Sequence, residues 1–337
     1  MEFLNDLKIS VIITAYKRRE LLIHAIESVL LNGIDPSLFE IILITNYKVD
    51  IGNLSPEYQI SSTVIEGTIG EYLYTGIQMA KNDIIVFLDD DDEFELGKID
   101  RVLSLFENDD ELVYYHNSWE YIDDAGKPIN YSRMVESRFR THGSNPIMFS
   151  STDGIEKLSL ALKQNADFNL SCIAVRKKNL EIYGELLKNI EGSTDGFFFW
   201  VSVISGEGLF IDPEKLTKYR VHNQNVTKSA NLEDRAREVG RQVKTYGLLL
   251  AFLDKNNDLF QNVPIITEWI SMIKLEYEII QLFFLQRKRK TIANNAKKLI
   301  KYDRKVKNVL KHRLIFLSLS YLLIPTFAVL IYKNLSK

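Results

Sequence analysis

The feature that most constrains the fold is an apolar run that ends abruptly in four acids. Residues 84–88 are Ile-Ile-Val-Phe-Leu, and Asp89, Asp90, Asp91 and Asp92 follow directly. Five apolar residues with a β-branched start predict a buried strand, and the acids predict that its carboxyl end opens into a site. In open α/β sheets, ligands bind at that end of the strands.

The acidic cluster has two interpretations. The simpler one is an acidic surface turn. Adjacent carboxylates repel one another, however, and folding alone gives no reason to collect them at the mouth of a sheet. A divalent cation that holds a phosphorylated ligand would give such a reason. Because the cluster directly follows a predicted buried strand, we favour the metal site.

Predicted strands alternate with predicted helices over the first third of the chain. The strands are residues 9–13, 40–45, 63–65, 84–88 and 112–116. Helices are predicted at residues 21–30 and 99–106, and residues 66–70 lead into a further helix that runs to about residue 81. This alternation predicts a parallel, doubly wound sheet with its ligand crevice at the strand ends. A hairpin is predicted over residues 119–131, followed by a long functional or mobile loop over residues 133–152.

Composition sets the remaining limits. At 337 residues and 46% hydrophobic content, the chain suits one large domain with additions. The single cysteine, Cys172, excludes an internal disulfide and fits a reducing compartment. The first residues lack the basic and apolar stretches of a secretory signal, so we expect none.

Three sequence blocks carry a resemblance to a known family. They are residues 10–22 (SVIITAYKRRELL), residues 80–92 (AKNDIIVFLDDDD) and residues 219–227 (YRVHNQNVT). In this order they resemble family-2 glycosyltransferases of GT-A fold, over roughly the first two thirds of the chain. The resemblance implies a Rossmann-like catalytic domain with a mostly parallel sheet, a nucleotide-diphosphate sugar donor, a Mn²⁺ or Mg²⁺ ion, and inversion at the anomeric carbon.

The resemblance also assigns donor-binding residues by position. Thr14, Ala15 and Tyr16 would line the pocket for the nucleotide base at the end of the first strand. Asp89 would approach the donor ribose. Asp90 has no clear counterpart in the family, and we group it with the donor-binding residues.

Asp91 and His222 are the metal ligands that the resemblance implies. Asp91 is the second Asp of an Asp-x-Asp motif. A lone His is usually a packed or solvated residue, but His222 resembles the family's late histidine, which reaches the metal or the diphosphate. Imidazole nitrogen suits Mn²⁺ better than Mg²⁺.

Several positions depart from the family pattern. The acid that usually closes the second strand is Thr45 here, with Asn46 beside it, and we retain Thr45 as a donor-binding residue. Leu73 and Tyr74 stand in place of an Arg-Asn pair, and Lys17 stands in place of an Asn. These departures leave the expected fold intact and leave the donor base and sugar open.

Asp195 is the candidate catalytic base. It precedes the aromatic residues 197–200 at the start of a predicted helix. Taken alone, an Asp at this place favours a helix N-cap, satisfied by backbone N–H groups. The family carries an acidic base at the corresponding point, and the position relative to the other motifs reverses the preference. We expect Asp195 to take the proton of an acceptor hydroxyl.

The C-terminal third differs in composition from the rest. Helices are predicted at residues 232–253 and 265–286. Residues 285–313 hold twelve Lys and Arg against one acid, whereas residues 314–332 hold no charge. Nineteen helical residues span roughly 28 Å, close to the thickness of a bilayer's hydrocarbon core. With the basic flank on the cytoplasmic side, residues 314–332 predict a membrane anchor. The alternatives are a buried helix, an oligomer contact or a re-entrant segment broken at Pro325.

We therefore expect a GT-A domain at residues 1–230, a basic helical extension at residues 231–313 and an anchor at residues 314–332. The expected activity is metal-dependent transfer of a sugar from its nucleotide donor to a hydroxyl of a lipid-linked or other glycan acceptor, at the cytoplasmic face of the cell membrane. No nucleic-acid partner is expected. The alternatives are a polyprenyl-phosphate glycosyl synthase, whose anionic acceptor needs no base, and a non-catalytic glycan- or nucleotide-binding membrane module.

Removal of all residues after Leu310 should release the protein from membranes and leave a folded catalytic domain, because the uncharged run at residues 314–332 is then lost. Fractionation of expressing cells, with the 337-residue chain as control, checks this expectation. A 337-residue chain that is already soluble without detergent contradicts the anchor.

Overall fold

The structure, a computed structural model, describes residues 7–32, 35–50, 57–129, 143–150, 153, 155–222 and 232–256. The predicted helix at residues 265–286, the basic segment and the anchor lie outside the described residues, as does most of the predicted loop at residues 133–152. Within the described ranges, no helix is both long enough and apolar enough to cross a membrane.

Four parallel strands form one half of the sheet. They are β1 (Ile9–Ala15), β2 (Phe39–Thr45), β3 (Gln59–Val64) and β4 (Ile84–Asp89), in the order β3-β2-β1-β4. β1 and β2 are buried along their whole length, which explains their continuous apolar sequences. The register sets Ala15 beside Thr45 and Thr14 beside Asp89, so these strands end at one common edge.

The other half of the sheet is mixed. Its strands are β5 (Glu93–Phe94), β6 (Leu112–Ile122), β7 (Ile147–Phe149), β8 (Ile173–Arg176) and β9 (Gly208–Arg220). From β4 the order continues β8-β6-β9-β5, and β7 also pairs with β9. β8 runs antiparallel to both β4 and β6, whereas β6 and β9 are parallel. The parallel arrangement expected from sequence therefore holds for β1–β4 and gives way to a mixed sheet beyond β4.

The predicted hairpin at residues 119–131 is confirmed over its described residues, which end at residue 129. β6 continues unbroken from the predicted strand at residues 112–116 into the first arm of the hairpin. The turn is present, with Gly126 at φ 76° and its N–H donating to the Asp123 carbonyl at 3.0 Å. The second arm pairs back on the first through a bridge between Ile122 and Pro128. On either side of this bridge, the Asp123 N–H donates to the Lys127 carbonyl and the Ile129 N–H donates to the Tyr121 carbonyl, both at 2.9 Å.

Helices cover both faces of the sheet. The described helices are α1 (Arg19–Leu30), α2 (Ile69–Met79), α3 (Lys98–Asn108), α4 (Ile155–Lys163), α5 (Gly184–Leu187), α6 (Thr194–Ser205) and α7 (Leu232–Lys255). Alternate residues of β1 enter different cores, because strand side chains alternate between faces. Val11 and Ile13 pack with α1 and α3, whereas Ile12 packs with α2 and α6.

A close approach beside α2 positions the segment that leads into α6. The Gly70 N–H, in the first turn of α2, donates to the Ile190 carbonyl at 3.0 Å. A Cβ at Gly70 would lie 2.6 Å from that oxygen and closer still to the Leu187 carbonyl. Thr68 and Glu71 fix the same helix end by a reciprocal capping box. The missing side chain therefore lets residues 187–190 lie directly against α2.

Gly70→Ala should destabilise the protein by about 1–3 kcal/mol, because two backbone carbonyls must shift to admit the methyl group. Ala favours helix over Gly, so intrinsic propensity alone predicts the opposite sign. Urea melting, with Gly143→Ala as control, separates the two effects. At Gly143 the Cβ would meet only the Gln164 side-chain amide, and a change within about 0.5 kcal/mol is expected. A Gly70→Ala protein as stable as the parent contradicts the tight approach.

Candidate functional site

The four acids form a buried turn at the end of β4. The Asp90 N–H donates to the Thr14 carbonyl and the Asp92 N–H to the Asp89 carbonyl, both at 3.2 Å, so the turn folds against the end of β1. Asp90, Asp91 and Asp92 are buried and Asp89 is half-buried. One carboxylate oxygen from each of Asp89, Asp91 and Asp92 lies within 4.8 Å of the others. The cluster is therefore an inward-facing set of acids, and the surface-turn interpretation is wrong.

Three of the four carboxylates resist ionisation. Burial raises the pKa of Asp89 to about 7, and the charge of Asp91 adds to the effect. Burial likewise raises the pKa of Asp90 to about 7, against the charge of Arg18. For Asp92, burial and then repulsion from Asp91 hold the pKa well above its usual value. A positive charge placed among these groups would favour their ionised forms.

Asp91 is the exception. Burial opposes its ionisation too, but the hydrogen bond with His222 and the charge of Arg18 outweigh burial and lower its pKa. His222 Nε2 lies 2.9 Å from Asp91 Oδ2, which brings together the two predicted metal ligands. Their oxygen and nitrogen atoms, with the neighbouring carboxylates, are a donor set that suits Mn²⁺. The residues thus fit the divalent ion that the sequence predicted.

Arg18 is a site residue that sequence analysis did not identify. Its Nη1 makes a short contact with Asp91 Oδ2 and lies 3.4 Å from His222 Nε2. Its Nη2 lies 2.5 Å from Asp90 Oδ1. The guanidinium therefore bridges two acids of the cluster. Its position directly after the Tyr16-Lys17 pair, at the mouth of β1, was the available signal.

Arg220 holds the acidic turn in place. This buried residue donates from its N–H to Asp92 Oδ1 at 3.0 Å and from Nε to the Asp91 carbonyl at 2.9 Å. The guanidinium also donates to the Asp123 carbonyl at 2.8 Å and pairs with Glu93. Because Arg220 lies at the end of β9, two residues before His222, these contacts fix the distance between His222 and the acids.

The predicted base-pocket residues lie at the carboxyl end of β1. Thr14 Oγ1 donates to Asp89 Oδ1 and the Tyr16 N–H donates to Asp90 Oδ2, both at 3.3 Å. Ala15 is buried, whereas the ring of Tyr16 is 49% exposed. These residues therefore adjoin the acidic cluster, with one aromatic ring available at its rim.

Thr45 and Asn46 line the neighbouring end of β2. Thr45 is fully buried, and its hydroxyl donates to the Tyr47 carbonyl at 2.5 Å. Asn46 Oδ1 accepts the Lys17 N–H at 3.0 Å, and Lys17 has a φ of 64°. Thr45 thus supports the local backbone, whereas the side chain of Asn46 is partly exposed and fixes the turn after β1.

Asp195 is not the N-cap of its helix. α6 begins at Thr194, and Ser193 takes the cap position. The Asp195 carboxylate accepts the Gly196 N–H at 2.9 Å through Oδ1 and the Asn169 N–H at 3.1 Å through Oδ2. Burial raises its pKa to about 6, against these hydrogen bonds. Repulsion from Asp195 contributes to the raised pKa of Asp89, so Asp195 lies within electrostatic reach of the cluster.

Comparison with known proteins identifies the family. Residues 10–181 match the model of Glycosyl transferase family 2, which is about half of the chain, and the chain belongs to that family. An uncharacterized glycosyltransferase of Rickettsia felis is 32% identical over 149 residues, 41% of this chain and 23% of that protein. A Rickettsia conorii counterpart is 32% identical over 139 residues, 38% of this chain and 22% of that protein. The chain thus spans under a quarter of the length of these relatives.

Solved structures share the fold. S. aureus TarS 1–349 is similar with a TM-score of 0.57, and its complex with UDP-GlcNAc with a TM-score of 0.58. Both are 12% identical, over 98% of this chain and 90% of that chain. Sequence identity of 12% supports a shared fold only. The GT-A-like α/β architecture predicted from sequence is confirmed. The family match includes the acidic cluster and ends before Asp195 and His222.

Proposed function

We propose that the protein is a metal-dependent glycosyltransferase that moves a sugar from a nucleoside-diphosphate donor to an acceptor hydroxyl. The buried acidic cluster at the strand ends carries the proposal. Three of its carboxylates converge within 4.8 Å, in a chain that belongs to Glycosyl transferase family 2. Burying these groups is costly unless a cation and a ligand make use of them.

The metal would be held by Asp91, which stays ionised, and by His222, with Asp89 and Asp92 beside them. Mn²⁺ accepts this mixture of carboxylate and imidazole ligands, and Mg²⁺ is the alternative. When bound, the ion would neutralise charge on the diphosphate leaving group. Arg220 has the supporting role of holding the main chain of the acidic turn through the Asp91 carbonyl.

The donor nucleotide would lie across the ends of β1, β2 and β4. The Tyr16 ring, 49% exposed at this edge, offers a stacking surface for the base. Thr14 orients Asp89 through its hydroxyl, and Asp89 would accept a hydrogen bond from the ribose. The UDP-GlcNAc complex of TarS supports a nucleotide sugar as the donor class.

Asp195 would act as the general base. A pKa of about 6 leaves the carboxylate mostly ionised at neutral pH, yet more basic than an exposed Asp. Its backbone hydrogen bonds to Asn169 and Gly196 hold the carboxylate in one orientation. As Asp195 takes the proton, the acceptor oxygen would attack the anomeric carbon from the side opposite the leaving diphosphate, and we propose inversion as the stereochemical course.

We further propose a lipid-linked acceptor and a membrane location. Support comes from the sequence of residues 285–332, where the basic segment precedes the uncharged run. An acceptor anchored in the same bilayer would meet the enzyme in two dimensions at high effective concentration.

Binding of UDP should require a divalent ion held by Asp91. Calorimetry of the whole chain with UDP and Mn²⁺ should show binding that EDTA abolishes and that Asp91→Ala weakens strongly, because both remove the positive charge facing the diphosphate. Asp110→Ala, which removes an exposed acid, is the matched control and should bind like the parent. Equal UDP affinity with and without Mn²⁺ contradicts the metal site.

Asp195→Asn should lower the rate of sugar transfer by about 10²–10⁴, the usual contribution of a positioned general base. UDP affinity should change little, since the metal lies elsewhere. The melting temperature should fall, because the amide can accept only one of the two backbone N–H groups that the carboxylate accepts. In the parent, the rate should rise with pH through about 6 as Asp195 loses its proton. Single-turnover assays against pH measure both effects. Near-parental turnover in folded Asp195→Asn contradicts the base and favours an anionic lipid-phosphate acceptor.

A further inference from the structure

We infer that the Arg18 guanidinium is an internal counter-cation of the metal site. The guanidinium and the divalent ion bind Asp91 and His222 alternately, one replacing the other. The inference rests on the proposed function only in taking a divalent ion as the competitor. Neither the sequence motifs nor the family match predicts this role of Arg18 in metal binding.

The contacts of Arg18 coincide with the expected contacts of the metal. One guanidinium nitrogen reaches Asp91 Oδ2 and lies 3.4 Å from His222 Nε2, the same two atoms that face each other at 2.9 Å. The other terminal nitrogen lies 2.5 Å from Asp90 Oδ1. Asp90, Asp91 and His222 are buried, whereas the Arg18 side chain is 27% exposed. A cation from the rim of the site therefore reaches inward onto the predicted ligands.

The two cations cannot use these ligands together. In the arrangement described, both lone pairs of Asp91 Oδ2 are engaged, one by Arg18 Nη1 and the other by the His222 Nε2–H, and a metal ion at this oxygen needs one of them. A guanidinium and a divalent ion side by side on one carboxylate would also repel each other strongly in a buried site. Metal binding must therefore displace Arg18.

Once displaced, the Arg18 side chain is free to bind the donor. The released guanidinium stays tethered at the end of β1, beside the Tyr16 ring where the donor would lie. A guanidinium binds phosphate oxygens in bidentate fashion, so Arg18 can bind the diphosphate once the metal has bound Asp91. Before metal arrives, Arg18 offsets the repulsion among the buried acids. Metal and donor binding would thereby be coupled through one side chain.

Mn²⁺ titration of the nucleotide-free whole chain tests the exchange, with free Mn²⁺ counted by EPR. Arg18→Met should bind Mn²⁺ at least about tenfold more tightly than the parent, since a charge-assisted hydrogen bond no longer has to be broken. Arg18→Lys keeps the charge but cannot bridge both acids, and should lie between the two. Arg19→Met is the matched control: it removes the adjacent, exposed guanidinium, which lies over the Tyr47 ring, and should leave Mn²⁺ affinity near the parental value.

Melting supplies a second readout. Without metal, Arg18→Met should melt below the parent, and Mn²⁺ should raise its melting temperature by more than it raises the parent's. Unchanged or weaker Mn²⁺ binding in Arg18→Met and Arg18→Lys overturns the exchange while leaving the metal site in place. Failure of the parent and every variant to bind Mn²⁺ overturns both the exchange and the proposed metal dependence.

Discussion

Repulsion among the buried carboxylates after β4 is the constraint on which the rest of the site depends. Positive or hydrogen-donating groups reach the acidic turn from separate parts of the chain. Arg18 comes from the end of β1, and Arg220 and His222 come from the end of β9. The buried Lys98 amine donates to the Ser171 carbonyl at 2.5 Å, and burial lowers its pKa to about 7. Two arginines and a histidine thus contact the acidic turn before any metal binds.

The sheet topology is what makes this arrangement possible. Parallel pairing of β1 with β4 places Thr14 beside Asp89 and so sets the first and second sequence blocks at one edge. Parallel pairing of β9 with β6 carries Arg220 and His222 to that same edge from 128 or more positions away in sequence. Each pairing contributes one part of the site, and the acidic turn is the point where they meet.

The features of the fold and the site that could be predicted from sequence are those that depend on residues adjacent in the chain. The apolar run at residues 84–88 and the acids after it predicted β4 and its site, since burial and charge are properties of adjacent residues. The roles of Arg18 and Arg220 could not be predicted in this way, because their partners lie 73 and 128 residues distant and are fixed only by the sheet. The cap at Ser193 was also missed. Its left-handed backbone, at φ 56°, has no clear signature in a non-glycine residue.

Pulsed EPR of Mn²⁺ bound to the whole chain with UDP tests the central claim most directly, because it reports the atoms next to the ion. We predict a phosphorus coupling from the diphosphate and a nitrogen coupling from His222. His222→Gln should abolish the nitrogen coupling and retain the phosphorus coupling. Mn²⁺ that binds without any phosphorus coupling would contradict a metal held between the acidic turn and the donor.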